Sequence, residues 1–126
     1  MNWEELVCAA KEKLGPRTLG KAGEAGYVAA ALETASGSVY TGVNIDVPCS
    51  MGFCAEHAAI AAMVTAGESR IVRLVAVHHT GRVIPPCGRC REFVCQIDEG
   101  NAQCQVLLGG GRVVCMAELL PERWDS

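Results

Sequence analysis

Cys54-Ala55-Glu56, answered further along by Pro86-Cys87-Gly88-Arg89-Cys90, is the pair of segments on which the reading of this chain turns. Together they offer three thiolate ligands and one carboxylate that a single Zn²⁺ could gather. Three protein ligands on a tetrahedral zinc leave the fourth position open to water, and an open position makes a metal site catalytic rather than structural. Cys87 and Cys90 stand one turn apart at a helix start, where outward-pointing amides and the helix dipole favour thiolate over thiol. Cys54 opens the other apolar segment, so two helix N-termini can face each other across one metal. Glu56 follows Cys54 by two, a spacing that shares no face in mid-helix. At an open first turn the side chains fan out, so Cys54 can hold the metal while Glu56 reaches the water without being a ligand.

Other uses of these cysteines remain open at this level. Cys49 and Cys54, with Cys87 and Cys90, would make a closed four-thiolate zinc ribbon. Cys87 and Cys90 alone fit a redox pair. The acidic residue beside Cys54 and the proline ahead of Cys87 favour the open site. Eight cysteines in a small secreted chain would suggest a disulfide framework. Here the start, Met1-Asn2-Trp3-Glu4-Glu5, is acidic and leads into no long apolar run, so reduced thiols in a cytoplasmic protein are expected. Cys8, Cys95, Cys104 and Cys115 read as small apolar packing residues.

With 126 residues, 50% of them hydrophobic, the chain supports one core, and residues 1–126 read as a single domain. A net charge of −3 excludes the basic surface that nucleic-acid binding requires. The blandest stretch, residues 58–66, is too short to span a bilayer, so no membrane partner is expected.

Apolar Trp3, Leu6, Val7, Ala10 and Leu14 predict a helix over residues 2–14, capped by Asn2 and stopped by Gly15-Pro16. Residues 17–26 read as a polar connection. Strands are predicted over 27–34 and 38–45, joined by a turn at Ser36-Gly37, and a central strand over 72–79. The Ala-rich segment 54–66 reads as a buried helix ending at Gly67, and a second helix runs from Cys87 or Gly88 to Ile97. Residues 103–108 and 112–115, joined by Gly109-Gly110-Gly111, predict an antiparallel hairpin, and residues 117–120 a last helical turn. The order implies one α/β domain: a five-stranded mixed sheet with helices on both faces.

Cys54-Ala55-Glu56-His57-Ala58-Ala59-Ile60 with Pro86-Cys87-Gly88-Arg89-Cys90-Arg91-Glu92 closely resembles the cytidine deaminase family, specifically its small homo-oligomeric members with three cysteine ligands. Val28-Ala29-Ala30-Ala31-Leu32, the segment Thr41-Gly42-Val43-Asn44-Ile45-Asp46 and Glu118-Leu119-Leu120-Pro121 extend the likeness over nearly the whole chain. The resemblance implies a three-layer α/β/α sandwich. It implies one Zn²⁺ per chain on Cys54, Cys87 and Cys90, with Glu56 as proton shuttle. It further implies a base contact from the Ala55 backbone, sugar contacts from Asn44 and Asp46, and a homotetramer or dimer with shared sites. The substrate it implies is a free cytosine nucleoside, cytidine or deoxycytidine.

The chain departs from the family pattern at three points. Asp46 stands where members usually carry Glu. Gly26, with Tyr27 beside it, stands where an aromatic residue helps line the base pocket. His57 stands where Arg often offsets the thiolate charge, and His57, Arg89 and Arg91 are the candidates for that task. Phe53 and Met51 are candidates for walling the base, and His78 or His79 for touching the site. Arg89, Arg91 and Trp124 resemble residues of blasticidin S deaminase, a relative acting on a cytosine-bearing antibiotic, which is the alternative substrate reading. A non-catalytic, zinc-stabilised binding domain is the alternative of a different class.

Overall fold

The computed structural model describes residues 1–125, and its first element is a helix closed by reciprocal caps. In α1 (Trp3–Lys11) the Asn2 side chain accepts from Glu5 N–H, and the Glu5 carboxylate accepts from Asn2 N–H. The helix stops at Lys11 instead of continuing to residue 14. Gly15 N–H is bonded to Gly26 O instead, which draws the chain toward the sheet.

Among the described residues seven strands follow: β1 (Arg17–Leu19), β2 (Gly23–Thr34), β3 (Val39–Asp46), β4 (Ile71–His78), β5 (Val83–Ile84), β6 (Gln105–Leu107) and β7 (Val113–Cys115). The other helices are α2 (Ala55–Thr65), α3 (Gly88–Ile97) and α4 (Met116–Leu119). The two strands beyond the expected five are β1, inside the segment read as a polar connection, and β5. At three and two residues they are too short to display a period in sequence. The main path runs β1-β2-β4-β6-β7, with β3 also paired to β2 and β5 to β4. β4 and β6 are parallel while the other pairs are antiparallel, including the predicted β6–β7 hairpin. The sheet is mixed, as the element order implies.

Alternation along the two central strands builds the three layers. Ala29, Ala31, Val75 and Val77 face α1 through Leu6 and Ala10. Ala30, Leu32, Leu74 and Ala76 face the opposite layer, where α2 supplies Ala59, Ile60 and Met63 and α3 supplies Val94. All fourteen side chains are at most 3% exposed, so β2 and β4 are covered on both faces. Asn101 is fully buried and fully engaged. Its Oδ1 accepts from Ile71 N–H and its Nδ2 donates to Ser69 O and Val94 O, tying the end of α3 to the start of β4.

The alanines of α2 let β3 approach closely. A β-carbon on Gly42 would lie 2.5 Å from Ala58 Cβ and from Ala59 N. Gly42→Ala must push β3 off α2 and is expected to destabilise the protein by about 1–3 kcal/mol in denaturant unfolding.

Just past the C-terminal end of α2, Glu68 accepts from Ser36 Oγ at 2.6 Å and from Tyr40 OH at 2.7 Å. These bonds, Ser36 first, pull its carboxyl from 4.5 down to about 2. The carboxylate is therefore stabilising above pH 4.5, and that contribution is lost as the pH falls toward 2. Melting temperatures taken across this window should fall in the wild type. Glu68→Gln should start lower at neutral pH and lack that part of the decline.

Candidate active site

Two helices begin at cysteine. Cys54 is the N-cap of α2 and Cys87 the N-cap of α3, both extended (ψ 160° and 168°), and neither side chain caps its own helix. The two sulfurs lie 3.5 Å apart. Cys90, one turn into α3, puts its Sγ 3.5 Å from that of Cys87. The Sγ atoms of Cys54 and Cys90 and a ring nitrogen of His57 all lie within 4.8 Å of one another. Tetrahedral zinc with bonds of about 2.3 Å holds its sulfurs about 3.8 Å apart, so the spacing and softness of this donor set fit that metal.

The local chain explains how each N-cap arrives. Ile45 and Phe53 exchange backbone hydrogen bonds of 3.0 and 2.9 Å, an isolated antiparallel bridge that delivers Phe53 and then Cys54 to the top of α2. Gly52 is required there, since a β-carbon would sit 2.2 Å from Ile45 O. Cys49 and Ser50, at φ 67° and 57°, turn the intervening loop. On the other side β5 and Pro85-Pro86 deliver Cys87. Arg91 secures that lead-in, donating Nε–H to Pro86 O at 2.8 Å and an Nη1 hydrogen to Leu119 O at 3.1 Å.

Cys54 and Cys87 open onto a cleft of about 350 Å³. Val28, Phe53, Ile84 and Pro85 make its apolar walls, Asn44 and Asp46 a polar end, and Arg89 lies on its lining. Ala55, Glu56, Cys54 and Cys87 line it beside the sulfurs. Glu56 is 4% exposed, and that burial raises its carboxyl above the ordinary range. Cys54 is extended and outside the helix while Glu56 lies in its first turn, so the two residues line the same cleft despite their spacing of two. Burial raises the thiols of Cys54 and Cys90, the latter with help from the Glu56 charge. For Cys87 partial desolvation is the largest single effect and acts upward, but hydrogen bonds with the Cys90 amide, the Cys54 and Cys90 thiols and the Arg89 amide together outweigh it, and the net shift is down.

Asn44 is oriented at both ends. The register of β2 against β3 shifts between Ala25 and Ala29, and the Asn44 Oδ1 accepts Val28 N–H at 2.8 Å. Its Nδ2 donates to Asp46 Oδ2 at 3.1 Å. His57 is half-buried, does not line the cleft and contacts Cys90; burial, then the charge of Arg89, lowers its pKa.

Several expected positions fall elsewhere. Trp124 lies off the cleft, 82% exposed, with its backbone N–H donating to the Glu92 carboxylate. Tyr27 does not replace the missing aromatic; it packs edge-on against His79, 5.2 Å between centroids. Gly26 itself has no room for a side chain, since a β-carbon would meet Gly15 O at 2.3 Å. His78 bonds Thr80, and neither it nor His79 lines the cleft. Met51 is 73% exposed and outside the cleft lining. Cys8 is exposed rather than packed, while Cys95 and Cys104 are buried as expected. The wall residues Val28, Ile84 and Pro85 carry no chemical signature in sequence; only the adjacency of Pro85 to Pro86-Cys87 could have pointed to one of them.

No protein-family model matches the chain. It is 34% identical over 98 residues to a cytidine deaminase of Halalkalibacterium halodurans, covering 75% of this chain and 74% of that protein. It is 32% identical to a blasticidin-S deaminase of Bacillus cereus, covering 95% of this chain and 90% of that one. Among solved structures, cytidine deaminase from Mycobacterium leprae superposes with a TM-score of 0.81 at 29% identity, over 97% of this chain and 99% of the other. The enzyme from Mycobacterium tuberculosis gives 0.82 at 28% identity, over 98% of each chain. The sandwich, the paired cysteine N-caps and these likenesses agree, and the chain belongs to the cytidine deaminase family of C–N hydrolases.

Proposed function

We propose that residues 1–126 form one catalytic domain that hydrolyses a free cytosine nucleoside, cytidine or deoxycytidine, to the uracil nucleoside and ammonia. The observation that carries this is the buried Glu56 carboxyl lining a cleft of about 350 Å³ with Cys54 and Cys87, the Cys90 sulfur packed behind them. Cys54, Cys87 and Cys90 hold one zinc. When bound, zinc supplies Lewis acidity and brings the pKa of a water to about 7. Glu56 does the proton work. Its carboxylate takes a proton from the attacking water and gives it to ring N3. The water oxygen bonds to C4 of the pyrimidine. Glu56 then carries the second water proton to the exocyclic amine, the C4–N bond breaks, and ammonia leaves. A raised Glu56 pKa suits a group that must both accept and return protons near neutrality.

The cleft walls position the ring. Phe53 covers it and the Ala55 backbone contacts its polar edge. Asn44 and Asp46 take the sugar hydroxyls; the Asn44–Asp46 bond already points the shorter carboxylate along the cleft. The eight free thiols favour a reducing compartment, the cytoplasm, and a free cytosine nucleoside as substrate would place the enzyme in pyrimidine salvage. Exposed Met51 and Trp124 are surfaces a second copy would cover, supporting a homotetramer in which Trp124 serves a neighbour's site. A fully active monomer by light scattering would overturn that assembly.

A second reading has its own support. The blasticidin-S deaminase likeness spans 95% of this chain against 75% for the cytidine deaminase of Halalkalibacterium halodurans. Gly26 also leaves no aromatic side chain at the position where relatives carry one.

Ammonia release from cytidine by the zinc-loaded protein tests the proposal, with Glu56→Gln beside it. The variant should keep one zinc and lose about 10²–10⁴-fold in kcat. Turnover of blasticidin S alone would move the substrate to the antibiotic. Zinc binding without any turnover would leave a binding domain. Asp46→Asn should raise KM for cytidine about tenfold with kcat little changed, as expected for a ground-state contact to a charged acceptor.

A further inference from the structure

The sulfur cluster has a front and a back. Cys54 and Cys87 face the cleft together with Glu56. His57 lines a second, smaller hollow of about 280 Å³ with Arg89, Glu92, Phe93 and Gln96. From that side its Nδ1 lies 3.5 Å from Cys90 Sγ. The imidazole lies flat on Phe93, with centroids 4.2 Å apart and planes 5° from parallel. A ring held face to face on another cannot swing without losing that contact, so its nitrogen stays aimed at the sulfur.

Cys90 is the cysteine of the three that most needs such a partner. It is 0% exposed, so water does not solvate its sulfur. The arginines beside it are placed for other tasks. Arg91 is bonded to the carbonyls of Pro86 and Leu119, and Arg89 is exposed. Three thiolates around a divalent cation leave a net charge of −1, and an N–H donor on one sulfur offsets part of it.

We propose that His57 is a positioning residue of the metal site. It donates Nδ1–H to the Cys90 thiolate from the side away from the cleft, holds that sulfur in place, and leaves the cleft-facing position free for water. This role rests on the zinc reading above. The placement argues against His57 as a fourth ligand, which would complete a closed Cys₃His set and leave Glu56 with no open position to serve.

The test is zinc affinity, measured by chelator competition on the purified protein, with X-ray absorption at the zinc edge. His57→Phe keeps a flat ring on Phe93 but removes the donor. His57→Asn puts an amide N–H near the same point. His57→Ala covers the case in which the Phe variant fails to fold. The wild type should hold one zinc with three sulfurs. His57→Phe and His57→Ala should weaken zinc binding about 10–100-fold with the three sulfurs retained. His57→Asn should recover most of the loss. Unchanged affinity in the Phe and Ala variants overturns the role, and so does loss of a nitrogen ligand from the absorption spectrum. A wild type that binds no zinc overturns the underlying reading itself, a result separable from either.

Discussion

The meeting of two helix N-termini governs this structure. Cys54 and Cys87 are N-caps of different helices with sulfurs 3.5 Å apart, and that separation exists only if α2 and α3 are held at a fixed angle on one face of the sheet. The angle comes from burial. β2 and β4 are covered on both faces, so α2 and α3 must lie flat on the layer of Ala30, Leu32, Leu74 and Ala76. Gly42 and the alanines of α2 set how close β3 comes, and the Ile45–Phe53 bridge sets where α2 begins. A shift in any of these would separate the sulfurs before it disturbed the core.

Gathering such groups in one place is electrostatically unfavourable without a compensating cation. Burial raises the thiols of Cys54 and Cys90 and the carboxyl of Glu56, each against ionisation. The two helix termini offer partial positive charge, and hydrogen bonds, that of the Cys90 amide first, already lower Cys87 against its partial desolvation. A soft divalent metal among these sulfurs would supply the rest of the compensation, and the His57 ring nitrogen lies 3.5 Å from the Cys90 sulfur. Perturbed groups converging in a cleft are the pattern of a reactive site rather than of a structural ion cluster. The polar end is organised differently: a backbone N–H left free by a register shift in β2 fixes Asn44, and Asn44 fixes Asp46.

Much of the site was legible in sequence because the chemistry sits in local motifs. The spacing of Cys87 and Cys90, the acid two after Cys54 and the proline ahead of Cys87 are short-range facts, and they pointed to the same open metal site. The central strands were legible because residues 29–32 and 74–77 are apolar at every position, the mark of a strand buried on both faces. β1 and β5 were not, because strands of three and two residues exist only through their neighbours. Asn101 was missed for a similar reason: its role depends on three backbone groups that converge only after folding.

The sequence by itself determined the fold class and singled out four groups that the fold brings together, Cys54, Glu56, Cys87 and Cys90, since each depends on residue type and near spacing. Tertiary structure alone decided the direction from which each group approaches. It put Tyr27 against His79 rather than on the cleft, left Trp124 82% exposed, and set His57 against Cys90 on the side away from the cleft. The physical reason is that neighbours in sequence constrain distance along the chain, whereas the side of a cluster a residue faces is set by packing between distant elements.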